Sequence, residues 1–214
     1  MKYTALIVAA GSGTRMQLGY NKVFARLKDG RTILETTAGI FLKDQDCTQI
    51  VIVTDASEFR RFWPDRIPGK IVLCRGGSTR QESVCNGLQA VINDFVFIHD
   101  GARPFLDEET LARLKSAMET EEAALLCVPC KDTIKKADEN GYVVETYERS
   151  TLRSAQTPQA FRTGLIMECM EKAFADHYTG TDDCSLVERY SSTRIKAVEG
   201  SYENFKVTTP EDLR

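Results

Sequence analysis

Short apolar runs alternate along the chain with longer segments in which apolar residues recur at helical spacing. Runs such as Ile-Val-Ile-Val and Phe-Val-Phe-Ile are continuous, which is typical of strands that are covered on both faces. The pattern predicts strands at residues 3–9, 49–54, 70–75, 95–99, 123–128, 194–198 and 205–207. It predicts helices at residues 33–43, 56–63, 81–92, 108–119, 163–175 and 183–190. We therefore expect an α/β fold with a mostly parallel central sheet, in which ligands bind at the carboxyl ends of the strands.

One segment, residues 132–148, departs from this alternation. Two short strand-like stretches flank Asn140-Gly141, and an Asn-Gly pair is a strong signal for a tight hairpin turn. A two-stranded ribbon is only marginally stable by itself, so it should pack on another surface. That surface is either the protein's own sheet or a second subunit. We favour the second subunit, which would make the protein a homodimer.

The composition is that of an ordinary globular protein. The chain of 214 residues is 42% hydrophobic and 28% charged, which predicts one domain with a sizeable core. The formal net charge is -3, so the charge gives no reason to expect nucleic-acid binding. The apolar run at residues 5–10 is far shorter than the roughly 20 residues that span a bilayer, and it is too short for a signal-peptide core. We expect a cytoplasmic protein without membrane association.

The cysteines point to the same compartment. All seven are scattered through apolar segments, and their odd number favours reduced thiols over a disulfide framework. Cys127 and Cys130 have the spacing of a redox pair or of half a zinc site, but a zinc site needs four ligands and the sequence has no second pair. We interpret both as structural, because residues 124–128 read as a buried strand that runs into a proline turn.

The first candidate site is the glycine-containing segment that follows the first predicted strand. It reads Ala9-Ala10-Gly11-Ser12-Gly13-Thr14-Arg15-Met16, and Lys22 comes shortly after. Glycines at this point let backbone N–H groups approach a phosphate closely. A dinucleotide fingerprint would need a glycine where Met16 stands, and a Walker loop would need Gly-Lys-Ser/Thr. Arg15 and Lys22 instead place two cations beside a backbone cradle, which suits a triphosphate that releases pyrophosphate, although an arginine after a turn is also common on surfaces.

Two further candidate segments follow later strands. Arg75-Gly76-Gly77-Ser78-Thr79-Arg80-Gln81-Glu82-Ser83 is either a turn with a capped helix start or a surface for a nucleobase or ribose, and the local sequence leaves both open. His99-Asp100-Gly101-Ala102-Arg103-Pro104 is a compact turn after a buried strand. Asp100 suits Mg²⁺, which is usually held by one or two carboxylates together with substrate phosphates. The alternative is a surface ion pair between Asp100 and Arg103.

Six motifs, taken together, resemble the 2-C-methyl-D-erythritol 4-phosphate cytidylyltransferase family of the non-mevalonate isoprenoid pathway. They occur in order over nearly the whole chain: Ala9-Ala10-Gly-x-Gly-x-Arg-Met with Lys22; Gly76-Gly77 with Arg80-Gln81-x-Ser83-Val84; His99-Asp100-x-Ala102-Arg103-Pro104; Thr157-Pro158-Gln159-x-Phe161; Thr181-Asp182-Asp183-x-Ser185; and Lys206-Val207-Thr208-x-Pro210-Glu211-Asp212-Leu213. The family commonly has Pro-Lys-Gln where this chain has Asn21-Lys22-Val23, and it usually continues a helix beyond Arg214.

The resemblance implies a Rossmann-like nucleotidyltransferase fold with a protruding β-hairpin. It implies that CTP reacts with methylerythritol phosphate, a polyol phosphate, to give the CDP-alcohol and diphosphate, with Mg²⁺ as the cofactor. Arg15 and Lys22 would stabilise the triphosphate charge in the transition state. Asp100 would hold the metal, and Arg103 would contact substrate phosphate or sugar. CTP would lie over Ala9, Ala10, Gly11, Ser12, Gly13, Gly76, Ser83 and Thr157.

For the acceptor, the resemblance implies contacts from several parts of the chain. Arg149 and Lys206 match the pair that positions methylerythritol phosphate, and Thr181 is a further contact. Thr133 and Arg149 lie in or beside the predicted hairpin, which in this family reaches into the partner's active site.

The attacking group would be a phosphate oxygen that is already ionised at neutral pH, so the reaction requires no general base. Neither histidine therefore needs a catalytic role. We expect His99 to stabilise its turn by hydrogen bonds and His177 to lie on the surface.

Two other functions remain alternatives. One is a ribitol 5-phosphate cytidylyltransferase, which shares the fold and most motifs but tends to have Ala-Gly-Gly at residues 9–11. The other is a catalytically silent nucleotide-binding regulator. A protein that only bound a nucleotide would not need all five of these charged residues: Arg15, Lys22, Asp100, Arg149 and Lys206.

Overall fold

A computed structural model describes residues 1–11, 19–63 and 67–213. Its central sheet has seven strands in the order β3-β2-β1-β4-β8-β5-β9. These strands are β1 (Tyr3–Val8), β2 (Cys47–Val53), β3 (Ile71–Cys74), β4 (Phe95–Asp100), β5 (Ala123–Pro129), β8 (Arg153–Arg162) and β9 (Lys196–Glu199). The helices are α1 (Ile33–Lys43), α2 (Ala56–Phe62), α3 (Arg80–Leu88), α4 (Glu108–Ala117), α5 (Thr163–Ala175) and α6 (Asp183–Tyr190).

The sheet is mostly parallel, as expected. The strands from β3 to β4 are parallel neighbours, and β9 is parallel to β5. Within the central sheet, as far as the structure describes it, only β8 runs antiparallel to its neighbours, which are β4 and β5. The carboxyl ends of β1 and β4 therefore lie side by side, which brings two of the candidate segments to one edge of the sheet.

Helices cover both faces of the sheet, which explains the continuous apolar strands. One buried cluster joins the sheet to apolar residues of α1, α2 and α4, including Phe41, Phe59 and Leu114. The other joins it to α3, α5 and α6, through residues such as Val84 and Ile166. Burial on both sides makes apolar residues favourable at every strand position, so the alternation of a half-exposed strand is lost.

Strand β8 was not predicted. Its sequence, Arg-Ser-Ala-Gln-Thr-Pro-Gln-Ala-Phe-Arg, has neither an apolar run nor an alternating pattern. Three of its buried positions hold polar residues, namely Gln156, Thr157 and Gln159. Pro158 disrupts a regular ladder, and the register between β5 and β8 shifts between Leu125 and Cys127, opposite this proline.

The prediction of a strand at residues 205–207 is wrong. This segment joins no sheet, and Val207 N donates a backbone hydrogen bond to Ala102 O at 2.8 Å. Val207 is fully buried, which accounts for the apolar pattern there.

The predicted hairpin is present as a separate two-stranded antiparallel sheet of β6 (Lys135–Ala137) and β7 (Val143–Thr146). All residues from 132 to 150 are exposed, so the hairpin does not lie on the protein's own sheet. Its apolar side chains include Tyr142, which is 73% exposed, and Val143, which is 61% exposed. We call the segment 132–148 the hairpin arm.

Two general findings complete the fold. None of the helices in the described parts of the chain is long and apolar enough to cross a membrane. All seven cysteines are free thiols, and four of them are buried.

Candidate active site

A pocket of about 460 Å³ lies at the carboxyl ends of β1 and β4. It is bounded by the end of β1, the turn that precedes α3, the end of β4 and the segment after β9. Its lining includes Ala9, Ala10, Gly11, Asn21, Lys22, Gly77, Arg80, Ser83, Asp100 and Lys206. Most of these come from the three candidate segments, so the fold brings those segments together.

The turn before α3 forms one wall of the pocket by close backbone packing. A Cβ atom on Gly76 would lie 2.3 Å from Cβ of Ala10 and 3.4 Å from Oγ of Ser83. Ser83 Oγ accepts a hydrogen bond from Gly77 N at 3.0 Å and donates one to Thr79 O at 2.8 Å. Thr79 caps α3 by accepting from Glu82 N. The interpretation as a capped helix start is therefore confirmed, and the same segment lines the pocket. A surface for a nucleobase or ribose stays a prediction.

Asp100, at the end of β4, is surrounded by three cationic side chains. Its Oδ2 lies 3.0 Å from Nζ of Lys206 and 3.4 Å from Nε of Arg103, and its Oδ1 lies 3.5 Å from Nε of Arg80. Burial alone would raise the pKa of Asp100, but Arg80, Lys206 and Arg103 together hold that pKa well below its usual value. The carboxylate is therefore ionised in the neutral range. The pair with Arg103 exists, but it is buried and belongs to a larger network.

His99 and Thr157 fix the backbone beneath Asp100. Thr157 Oγ1 accepts from Asp100 N at 3.0 Å and lies 3.0 Å from Nδ1 of His99, while His99 Nε2 lies 3.1 Å from Arg103 O. Since a carbonyl can only accept, Nε2 carries the proton and Nδ1 accepts from Thr157. Burial lowers the pKa of His99 to about 4, so the ring is neutral. The expected role of His99 in its turn is confirmed, and His177 is exposed, as expected.

Two lysines reach the pocket from distant parts of the chain. Lys22 Nζ donates to Val207 O at 2.7 Å, and the neighbouring Lys206 contacts Asp100. Asn21 stands where proline is common in the family and is buried. Its amide donates to Ala9 O and its Oδ1 accepts from Val23 N, so this side chain restrains the segment that carries Lys22.

A sequence model of the 2-C-methyl-D-erythritol 4-phosphate cytidylyltransferase family matches residues 3–214. The chain belongs to this family. A cytidylyltransferase of that name from Geobacillus kaustophilus is 48% identical, and the alignment covers 100% of this chain and 94% of the relative. A second cytidylyltransferase of that name, from Bacillus velezensis, is 43% identical, and the alignment covers 100% of this chain and 93% of the relative.

Solved structures of the cytidylyltransferase family have the same fold. The 4-diphosphocytidyl-2C-methyl-D-erythritol synthase of Anaerococcus prevotii superposes with a TM-score of 0.86 at 33% identity, over 99% of this chain and 94% of that one. The Francisella tularensis enzyme superposes with a TM-score of 0.85 at 30% identity, and the match covers 100% of this chain and 97% of that one. The predicted family and the predicted Rossmann-like nucleotidyltransferase fold are confirmed.

Several residues that the cytidylyltransferase motifs suggested do not line the described pocket. Arg103 points its Nη1 to Asn204 O at 2.8 Å, and Thr157 is buried behind Asp100. Thr181 is exposed in the turn before α6. Thr133 and Arg149 are exposed in and beside the hairpin arm, and Nη1 of Arg149 donates to Lys131 O at 3.1 Å. Ser12, Gly13 and Arg15 lie outside the residues that the structure describes.

One part of the pocket was missed by sequence reasoning. Arg80 lines the pocket, and its two Nη atoms contact the two carboxylate oxygens of Asp183 at 3.0 and 2.7 Å. Burial alone would lower the pKa of Arg80, but the carboxylates of Asp183 and Asp100 raise that pKa above its ordinary value. Both residues belong to motifs of the family, yet their pairing joins two helices that are remote in sequence.

The donor set fits a magnesium ion at Asp100. This carboxylate is ionised and lines the pocket, and within the described residues its Oδ1 has a single ion-pair contact, at 3.5 Å with Arg80. The described residues contain no group of three or more metal-ligating side chains, so further ligands would come from substrate phosphates and water. Mg²⁺ is commonly bound in this way.

Proposed function

We propose that the pocket at Asp100 is where this cytidylyltransferase acts, with Lys22, Lys206 and Asp100 as its central charged groups. The reaction is that of the family: CMP is transferred from CTP to 2-C-methyl-D-erythritol 4-phosphate in isoprenoid precursor biosynthesis. The observation that carries the assignment is the convergence of these charges beside the backbone of Ala9, Ala10 and Gly11, at a sheet edge where α/β folds bind ligands.

The chemistry requires positioning and charge stabilisation. A phosphate oxygen of the acceptor attacks the α-phosphorus of CTP, the bond from that phosphorus to the bridging oxygen breaks, and diphosphate leaves with the electron pair. Because the attacking oxygen is already ionised, no side chain has to remove a proton. Lys22 and Arg15 neutralise the charge that builds up on the departing diphosphate.

Asp100 holds Mg²⁺ in this proposal. A bound magnesium ion would supply charge neutralisation for the phosphates. The chain's own part is to keep Asp100 ionised and in place, which Arg80, Arg103 and the hydrogen bond from Asp100 N to Thr157 do.

On the nucleotide side, we propose that the cytidine binds against Ala10 and Ser83, which line the pocket, and that Gly76 supports this wall by packing against Ala10. The close approach of Gly76 to Ala10 leaves no space for a side chain between the turn and the end of β1. A flat base can then lie against the backbone of both segments. Ser12 and Gly13 lie outside the described residues, and their proposed contact with CTP rests on the family motif. Thr157 acts indirectly in this proposal, by accepting a hydrogen bond from Asp100 N.

The acceptor side requires a second subunit in this proposal. Arg149, Thr133 and Thr181 are exposed, whereas Lys206 lines the pocket, so one chain does not bring these residues together in the described pocket. Exposed apolar residues on the hairpin arm suit burial against a second copy. We therefore propose a homodimer of single-domain subunits in which the arm carries Arg149 to the partner's pocket. Seven free thiols support a location in the reducing cytoplasm.

The decisive experiment measures diphosphate release by the purified protein from CTP, with methylerythritol phosphate or ribitol 5-phosphate as acceptor and with or without MgCl₂. We expect Mg²⁺-dependent turnover with methylerythritol phosphate and at most weak turnover with ribitol 5-phosphate. Faster turnover with ribitol 5-phosphate would assign the sister activity. CTP binding without turnover of either acceptor would indicate a nucleotide-binding regulator.

A further inference from the structure

Arg80 and Asp183 form a two-point contact at the back of the pocket. Arg80 is the first residue of α3 and Asp183 is the first residue of α6. Nη1 and Nη2 of the guanidinium contact Oδ1 and Oδ2 of the carboxylate at 3.0 and 2.7 Å. Such a fork-to-fork contact fixes the plane of the guanidinium as well as its position.

The third donor of Arg80 faces Asp100. Its Nε lies 3.5 Å from Oδ1 of Asp100, whereas Lys206 contacts the other oxygen, Oδ2. One guanidinium thus bridges two carboxylates, one at the pocket and one behind it. The Arg80 side chain is 33% exposed, whereas that of Asp183 is only 2% exposed.

The elements that carry this contact are themselves held firmly. The side-chain amide of Gln81 donates to Tyr178 O at 3.0 Å and accepts from Gly180 N at 2.9 Å, so α3 is tied to the turn before α6. Gln159 Oε1 accepts from Cys184 N at 2.9 Å, which ties α6 to β8. The Asp183 carboxylate therefore has a fixed place from which to orient Arg80.

Stability alone explains this pair poorly. Burying an ionised carboxylate costs desolvation free energy that the contact with an arginine roughly offsets, so a buried pair adds little net stability. A buried pair is better explained where its geometry serves another group. The group within reach here is Asp100.

We propose that Asp183 is a positioning residue for Asp100. By holding both Nη atoms of Arg80, it keeps Nε of Arg80 against Oδ1 of Asp100 and so fixes the orientation of the Asp100 carboxylate in the pocket. This inference rests on the proposed function of Asp100, and it adds a residue that does not itself line the pocket.

The first test is a double-mutant cycle of Asp183→Asn and Arg80→Lys. Asparagine keeps the size of Asp183 but can accept through one oxygen only, and lysine keeps the charge of Arg80 but loses the fork. Each single variant should lower kcat about 10-fold or more and leave the KM for CTP within about two-fold, because misplacing a reactive group affects the transition state more than ground-state binding. The double variant should be no slower than the slower single variant, because Asp183 acts through Arg80.

A matched control separates this effect from general loss of stability. Lys115 and Asp44 form another partly buried ion pair, at 3.0 Å, away from the pocket. Lys115→Met should lower the thermal midpoint without changing kcat at 25 °C. If Asp183→Asn behaves like Lys115→Met, or if the two losses in the cycle multiply, the proposal is wrong.

Two further measurements cover the remaining outcomes. If Asp183→Asn does not fold, Asp183→Glu takes its place, because it keeps the charge and displaces the guanidinium by one methylene group. A kcat of Asp183→Glu within two-fold of the parent would overturn the proposal. If the parent protein itself shows no turnover, the proposed function fails, and the positioning is judged from crystal structures of the parent and Asp183→Asn. An unchanged Asp100 carboxylate in both would overturn it.

Discussion

Nζ of Lys206 lies 3.0 Å from Oδ2 of Asp100, although one residue ends β4 and the other follows β9. Two groups that the proposed reaction uses therefore contact each other across the pocket. Their contact places the segment that carries Lys206 beside the end of β4. It also makes Lys206 one of three cations that keep Asp100 ionised.

Lys206→Ala should lower kcat by about 10²-fold, which is the scale for losing one electrostatic stabiliser of a transition state. Asp100 stays ionised in this variant, because Arg80 and Arg103 remain. Diphosphate release at saturating substrates measures the loss. Lys196→Ala, an exposed lysine at the start of β9, is the control and should keep full activity. Equal rates for both variants would remove Lys206 from the mechanism.

Lys22→Ala and Arg15→Ala should each lower kcat by about 10²-fold or more, since each would remove a cation from the departing diphosphate. For Lys22 the structure adds a reason, because its Nζ already reaches the pocket edge at Val207 O. Lys28→Ala is the matched control, because Lys28 is exposed in the same segment. Near-normal kcat with CTP and methylerythritol phosphate would contradict the role of the substituted residue.

Gly76→Ala should raise the KM for CTP at least about 10-fold with a smaller effect on stability. The new Cβ would lie 2.3 Å from Cβ of Ala10, so one wall of the pocket has to move. Steady-state kinetics with varied CTP measures the change. Gly39→Ala, in α1, is the control because a Cβ there meets no atom within 4 Å. A KM for CTP that stays at the parent value in Gly76→Ala would contradict the proposed seat of the cytidine.

Mixing Arg149→Ala with Lys22→Ala protein should restore part of the activity that each variant lacks. If the hairpin arm serves the partner's pocket, a hybrid dimer contains one pocket with both an intact Lys22 and an intact Arg149. Activity is followed after subunit exchange has been verified by mass spectrometry of labelled chains. Exchange without recovery would show that the arm serves its own subunit.

The folded protein should lose stability between pH 6.5 and pH 4 through His99. Burial lowers the pKa of His99 from 6.5 to about 4, so in this window the unfolded chain binds a proton that the folded protein excludes. The full contribution is present above pH 6.5, and about 3 kcal/mol is lost by pH 4. Urea unfolding in the presence of EDTA measures it, with His99→Asn as the comparison. Equal pH dependence of both proteins would show that His99 is not buried in its neutral form.

The apolar pattern was sufficient for most elements, because burial on both faces marks strands such as β2 and β4 as continuous runs. Helices α1, α5 and α6 begin and end where the pattern predicts. The hairpin arm was signalled by Asn140-Gly141. Strand β8 was missed because polar residues hold three of its buried positions and Pro158 interrupts it.

The candidate site could be predicted at the level of segments and less well at the level of contacts. Asp100 and the turn at Gly76 could be predicted because each follows a predicted strand. The carboxyl ends of parallel strands lie at one edge of the sheet, which brings such segments together. The contact between Arg80 and Asp183 depends on where α3 and α6 begin in space, which no local pattern encodes. The same holds for Arg103, whose guanidinium turns to Asn204 instead of the pocket.

The polar interior of β8 has a consequence for how the protein tolerates change. Thr157 accepts from Asp100 N, Gln156 donates to Ser201 O at 2.8 Å, and Gln159 donates to Asp182 Oδ2 at 2.7 Å. A single strand therefore anchors three separate segments: the end of β4, the segment after β9 and the start of α6. Substitution of its amide and hydroxyl residues would disturb all three segments, so these positions tolerate less change than the aliphatic core beside them.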